Sequence, residues 1–256
     1  MTRARELAQR TANLPLEASI LGSFGAFYYQ RGDFHRALQY LQQALELTER
    51  RGLRDKTATM LVNLALVYRH LQQPDPMKST LDRALSLAHE IASPRIEAHA
   101  QLILGDYFLE RRQWQESTSA FRQVERLARE MSDPHLELSA LSGLGRVEGE
   151  QGHLAKAAQL QRQALEGAQR LGLPVQKAQV LVHLGKIQAQ LQDYAQAQEM
   201  LAQAAEIAQE TGLTYVQFYA HYHLGQLYDS AFDDRHRAIE HYRAAINVLE
   251  QQRLWL

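Results

Sequence analysis

A small residue returns every 40 positions along this chain, and that interval decides most of what it can fold into. Gly25, Ala65, Gly105, Gly145, Gly185 and Gly225 form the series, each directly preceded by Phe24, Leu64, Leu104, Leu144, Leu184 or Leu224. Nineteen residues further on stand Ala44, Ala84, Val124, Ala164 and Ala204; the sixth, Ala245, is late by one because the Asp233-Asp234 turn holds an extra residue. Pro94, Pro134 and Pro174 keep the same step. A period of about 20 to 50 residues marks stacked units, none of which can bury its apolar face alone.

Each unit reads as two helices. Leu16, Ile20, Phe24, Phe27 and Tyr28 recur at helical spacing until Gly32-Asp33 breaks the run; Phe34, Ala37, Leu38, Leu41, Leu45 and Leu47 form a second run ending at Gly52. Asp33 and Asp193 are placed to cap second helices, while Ser93 and Asp133 precede a proline at a first helical position. Helices of about 15 residues, roughly 22 Å long, are expected, each amphipathic and in need of neighbours. Composition agrees. Ala, Leu, Glu, Lys and Arg supply nearly half of the 256 residues, whereas Val and Ile together number 17, too few for a mainly β fold. The small-residue series, with Ala37, Ala157, Ala197 and Ala238 on the second helices, is expected to let helix backbones approach closely.

Leu-small, an aromatic three residues on (Tyr28, Tyr68, Phe108, Tyr228), Ala twelve on and Ala nineteen on: this pattern resembles the tetratricopeptide repeat over residues 16–252. Two features depart from it. The unit is 40 residues rather than the usual ~34, similar to the longer-helix branch in spindle-orientation adaptors, kinesin light chains and bacterial signalling regulators. The tryptophan slot holds Leu21, Leu61, Leu141 and Leu181, with Gln101 and His221 in the third and sixth units. The resemblance implies an all-α, right-handed superhelical α-solenoid of about six helix-turn-helix repeats, at residues 15–53, 54–93, 94–133, 134–173, 174–213 and 214–252. The fourth unit diverges most: Glu148 replaces the aromatic, and Gly143, Gly145 and Gly149 load one helix with poor helix formers, so a softer joint is expected there. Ala4-Arg5-Glu6-Leu7 repeats Ala44-Leu45-Glu46-Leu47, so residues 1–14 read as the tail helix of an incomplete repeat. With Leu249, Leu254, Trp255 and Leu256 uncapped at the other end, the expectation is a piece of a longer protein, or ends covered by self-association.

No enzymatic constellation emerges. Gly143-Leu144-Gly145-Arg146-Val147-Glu148-Gly149 has the wrong spacing for a dinucleotide loop and falls within a helix. His221 and His223 point to different helical faces, and His183 and His223 lie in adjacent units ~10 Å apart, too far for one zinc without further ligands. Neither a metal nor a cofactor is expected. A net charge of −1 supplies no global attraction to nucleic acid. No window approaches about 18 uninterrupted apolar residues, so no membrane partner is expected. The absence of cysteine fits a reducing cytoplasm.

In the family this chain resembles, first helices line an inner groove, and an Asn just before the Leu-Gly pair holds the backbone of a bound peptide. Here that slot is Ser23, Asn63, Ile103, Gly143, His183 and His223, so only Asn63 carries the family residue. His183 and His223 can substitute, since imidazole both donates and accepts. Arg69, His99, Asp106, Arg146, Lys186, Tyr219, Tyr222 and Gln226 fall on the same stripe. Tyr215, Phe218 and Tyr228 crowd the last first helix, Tyr228 as a packed residue, while Ser139, Ser142, Gly143 and Gly149 leave the middle of the groove bare enough for a ligand backbone. The rival reading of the stripe is a solvated polar face. The function expected is a noncatalytic protein- or peptide-binding scaffold or sensor, part of a larger cytoplasmic signalling protein. Two alternatives stand beside it: a homodimer through terminal helices exposing Trp255 and Leu256, and the regulatory arm of an enzyme or transcription factor whose effector domain lies outside the chain.

Overall fold

A computed structural model describes residues 14–253. The tail helix expected ahead of Leu14 and the Leu254-Trp255-Leu256 end lie outside the described residues. Among those described there are twelve helices and no strand: α1 (Leu14–Gln30), α2 (Phe34–Arg50), α3 (Arg54–His70), α4 (Pro74–Glu90), α5 (Pro94–Glu110), α6 (Trp114–Met131), α7 (Pro134–Glu150), α8 (Leu154–Arg170), α9 (Pro174–Gln190), α10 (Tyr194–Thr211), α11 (Thr214–Ser230) and α12 (Arg235–Arg253). Odd-numbered helices are the first of each pair and even-numbered the second. They run from 17 to 19 residues, longer than the apolar pattern suggests. Polar flanks such as Arg54-Asp55 and Glu49-Arg50 add turns that carry no hydrophobic signal.

The C-terminal ends of α1 to α10 are all built the same way. The N–H of Asp33 donates to Tyr28 O at 2.9 Å, Leu53 to Thr48 at 2.9 Å, Gln73 to Tyr68 at 2.9 Å, and so on at a 20-residue step to Leu213 and Ala208 at 2.8 Å. This six-to-one bond closes the last turn and needs one left-handed residue before it. Gly32, Gly52, Gly152, Gly172 and Gly212 fill that place, but so do Gln72, Ala92, Arg112, Ser132, Gln192 and Asp233, all at positive φ. Asp33, Asp133, Asp193 and Asp234 then cap the next helix, each accepting from a backbone N–H two or three residues on.

The helices divide between Tyr107 and Phe108 into two compact units. In the first, α1 packs on α2, α2 on α3 and α3 on α4, and α1 also touches α3; in the second, consecutive contacts run from α6 to α12, and α7 touches α9 as α9 touches α11. Among the described residues of either unit, no second helix meets the next second helix. First helices are thus the closely spaced layer. Their burial shows it: α3 withdraws Thr57, Ala58, Met60, Leu61, Val62, Leu64, Ala65 and Val67 from water, whereas α2 buries only the stripe Ala37, Leu41, Ala44 and Thr48. A fully buried Leu or Val adds about 1.5–3 kcal/mol, and such residues join Leu21, Leu41, Met60, Leu64 and Val67 into one core in the first unit. Ala204, Ala205 and Ala208 meet Val216 and Ala220 in the second.

The small-residue series works differently from the expected approach of bare backbones. A Cβ on Gly25 would lie 2.5 Å from Leu41 Cγ, one on Gly145 2.9 Å from Gln161 Nε2, one on Gly185 2.7 Å from Leu201 Cγ and one on Gly225 2.6 Å from Tyr242 Cε1. Each glycine is a socket for one side chain of the partner helix; at Gly185 the backbone oxygen of Ala197 also comes within 3.4 Å. No helix among the described residues is long and apolar enough to cross a membrane.

Candidate functional site

The first helices carry the candidate residues, and each unit presents its own set. In the first unit Arg69, near the end of α3, reaches α5, where its Nη1 donates to Asp106 Oδ2 at 2.7 Å, with both side chains largely covered. Asn63 is half-buried on α3 and His99 exposed on α5. Close by, Tyr29 of α1 meets His70 Nε2 of α3 at 2.9 Å, and Phe34 of α2 stacks on the same imidazole at 4.6 Å.

The second unit holds a longer row. Lys186 Nζ on α9 donates to Glu150 Oε1 on α7 at 2.7 Å. Its charge also reaches α11: burial foremost, then Lys186, lowers the pKa of His223, against the raising effect of its hydrogen bond to Gln226. His223 Nδ1–H donates to Gln226 Oε1 at 2.9 Å, and Gln226 Nε2 donates to the Tyr222 hydroxyl at 3.2 Å. Glu150, Lys186, His223, Gln226 and Tyr222 therefore form a polar row across three successive first helices. Beside it, Tyr215 is 60 %, Tyr219 37 % and Tyr222 38 % exposed. Their rings support one another: Tyr215 lies edge-on to Tyr219 at 4.8 Å, and Phe218 stacks with Tyr222 at 6.1 Å. Arg146 and His183 are half-buried on α7 and α9.

Glu150 escaped sequence reasoning, although a signal existed. Arg69 and Asp106, and Glu150 and Lys186, pair across adjacent repeats at separations of 37 and 36 residues. That is one helical turn short of the 40-residue interval, so opposite charges at this offset announce a cross-repeat pair.

The bare patch expected at the middle of the groove does not exist. Gly143 is buried under the ring of Phe121, which a Cβ there would meet at 2.5 Å, and a Cβ on Gly149 would touch Ala157 and Ile187 at 3.7 and 3.9 Å. Ser139 Oγ donates to His135 O at 2.9 Å and Ser142 Oγ to Gln161 Oε1 at 3.2 Å. Ser142, Gly143 and Gly149 thus face neighbouring helices, Ser139 bonds within its own helix, and α7 runs unbroken from Pro134 to Glu150. Glu148, in the aromatic slot, is held by Lys156 at 2.6 Å and His153 at 2.8 Å. Burial raises its pKa, but the hydrogen bonds from Lys156 and His153 outweigh that and leave it lowered. His221 faces away from the row, its Nδ1 3.2 Å from Nδ1 of His241 on α12.

No trio of His, Asp or Glu among the described residues is arranged to hold a metal ion. A shallow depression of about 550 Å³ runs along α6 beside Trp114, Thr118 and Arg122 with Gln151 at its rim, but no residue of the row lines it.

Two sequence models of the tetratricopeptide repeat match the chain, one at residues 18–51 and 138–171, the other at 58–89 and 178–211, together more than half of its length. No curated protein sequence matches significantly. Among solved structures, NprR in complex with its cognate peptide NprX is similar with a TM-score of 0.74 at 15 % identity, covering 98 % of this chain and 71 % of that one. A Rap protein complexed with competence and sporulation factor gives 0.71 at 16 %, covering 93 % and 76 %. A signal transduction ATPase with a tetratricopeptide repeat sensor from Pyrococcus horikoshii gives 0.66 at 17 %, covering 96 % of this chain and 40 % of that one. At such identities the likeness concerns the fold alone, an all-α stack of helix pairs. With its 40-residue interval, its sockets for partner side chains and these matches, the chain belongs to the tetratricopeptide repeat family.

Proposed function

We propose that this chain is a noncatalytic recognition module that holds a peptide or protein segment against its first helices, with α7, α9 and α11 as the main platform. The observation that carries this reading is the polar row from Glu150 to Tyr222 running beside the exposed rings of Tyr215, Tyr219 and Tyr222. Rings with polar tips bury large area at low conformational cost, and a file of donors and acceptors can hold an extended backbone. Arg146 and His183 extend the contact surface within the second unit, and Asn63, Arg69, His99 and Asp106 offer contacts of the same kind on the first unit by itself. NprR and Rap, bound to a peptide and a factor on the same fold, support a peptide-sized ligand. The sensor of the Pyrococcus ATPase supports a place within a signalling or regulatory protein. A chain without cysteine suits the cytoplasm.

The test begins with peptides selected from a displayed random library on the full chain, their affinities then measured by calorimetry. Replacing Tyr219, Tyr222 and His223 together with Ala is expected to weaken them at least about tenfold, or ~1.4 kcal/mol, with the helical circular dichroism unchanged. A second triple, Asn63, His183 and His223 to Ala, should act in the same direction. Peptides that bind both variants as tightly as the parent would place the ligand elsewhere.

A further inference from the structure

A second surface of the second unit stands apart from the polar row. The depression along α6 is lined by Trp114, Thr118, Ser119, Arg122 and Arg126, with Gln151 at its rim. Its volume of about 550 Å³ falls among the ~300–1,000 Å³ of small-molecule sites. Trp114, Thr118, Arg122 and Arg126 follow one another at four-residue steps, about 6 Å each along the axis. A half-buried ring, a hydroxyl and two guanidinium groups therefore succeed one another on one helix face.

This face departs from the chain's own period. At positions matching the lining by multiples of 40, with one more on α12, every other second helix carries a carboxylate: Glu46 on α2, Asp82 on α4, Glu166 on α8, Glu206 on α10 and Glu240 on α12. Among the described second helices, α6 alone has none there, and it supplies two arginines instead. Arg126 shares its charge with Glu130 at 2.6 Å. Arg122 is exposed and makes no ion pair among the described residues, and the hydroxyls of Thr118 and Ser119 are equally uncommitted there. The local field is positive, although the whole chain carries a net charge of −1.

We infer that this depression binds a free nucleoside di- or triphosphate, with the base on the Trp114 indole, the ribose against Thr118 and Ser119, and the phosphates on Arg122 and Arg126. Each part answers one demand of the lining. The indole offers a flat apolar surface on which any base can stack. A guanidinium fork pairs bidentately with phosphate oxygens, and two forks one helical turn apart suit a chain of phosphates rather than a single one. The roughly 12 Å from Trp114 to Arg122 passes over hydroxyl groups, so the ligand needs a polar spacer between ring and anion. That requirement separates a nucleotide from a simple aromatic acid. The site is one of binding, with no bond made or broken, and it is independent of the peptide platform, since none of the row takes part.

Trp114 and Trp255 are the two tryptophans of the chain, so in the full chain carrying Trp255→Phe the intrinsic fluorescence reports Trp114 alone. ATP should quench it, and calorimetry should give a Kd below about 1 mM. Adenosine, which lacks the anion, and tripolyphosphate, which lacks the ring, should each bind at least about tenfold more weakly. Arg122→Glu changes an exposed position and should weaken ATP at least about tenfold with the helical circular dichroism unchanged. Absence of ATP binding up to about 10 mM, tripolyphosphate binding as tightly as ATP, or an ATP affinity that Arg122→Glu leaves unmoved would each overturn the inference. So would a single-stranded oligoadenylate that binds more tightly than ATP, since the face would then serve a nucleic-acid strand.

Discussion

Phe121 has no access to solvent beyond 1 %, and it reaches that state by inserting its ring where Gly143 lacks a side chain. The register would align it with Leu41, Gln161 and Leu201, which fill sockets in their own helix pairs, yet Phe121 leans forward onto the following pair. Phe121→Ala is expected to cost about 3–5 kcal/mol, by loss of buried ring surface and an unfilled cavity. Gly143→Ala should cost about 1–3 kcal/mol by overpacking. In the double variant the new methyl enters vacated space, so the sum of the two should exceed what urea titration measures for the pair. A strictly additive result would mean that the ring does not occupy the Gly143 socket. At this scale the amino acids disclosed that Gly143 was unusual but not why: the same absence of a side chain serves an open groove or an inserted ring. The candidate residues were legible to a similar degree. Arg69 and Asp106, or Lys186, His223, Gln226 and Tyr222, could be placed on a stripe, but their bonds to one another could not.

Every turn between helices turns on one left-handed residue, and where that residue is not glycine the helix end carries strain. Ala92 sits at φ 50°. A Cβ in that region costs about 1–2 kcal/mol, partly offset by the ~0.5–1 kcal/mol of extra chain entropy glycine loses on folding. Ala92→Gly should therefore raise stability by about 0.5–1 kcal/mol, read from thermal or urea unfolding; a loss would show that Ala92 is not left-handed. The joint of α11 with α12 makes a prediction about pH. Burial foremost, then the charge of His241, holds His221 below its ordinary 6.5; burial, with Arg237 opposing Glu240, does the same for His241, and His223 is lowered by burial too. Just below pH 6.5 the unfolded chain then binds more protons than the folded one, so stability is complete above about 6.5 and falls as pH drops through it towards the folded values. Urea midpoints taken at about pH 7.5 and 5.5 should fall on acidification, and fall less in the His221→Gln/His241→Gln variant. Equal slopes would remove the pair from the account. Helix ends were readable where Gly32, Gly52, Asp33 or Pro134 announced them; Gln72, Ala92 and Arg112 occupy the same bend without any local preference for it, and only their 20-residue step gives them away.

Packing between neighbouring helix pairs governs each of the two units. Within the second unit each helix meets those next to it in the stack, so stability is close to a sum of helix pairs and the joints between them. Ending the chain after Gly212 removes α11 and α12 and uncovers Ala204, Ala205 and Ala208 of α10. The shortened chain is expected to stay helical, its circular dichroism reduced in proportion to the residues lost, with a lower midpoint from the one joint removed. Collapse of the whole signal would instead reveal a single all-or-none core.

The helical class, the 40-residue interval and the family were decided by the order of amino acids alone, because burial recurs with the turn of a helix and with the spacing of a repeat, and both leave periodic traces in a linear text. Where the chain departs from its own period, only the tertiary structure decided. Glu150 finds Lys186 and Phe121 finds Gly143 because each outcome depends on what a different helix brings to the same place in space.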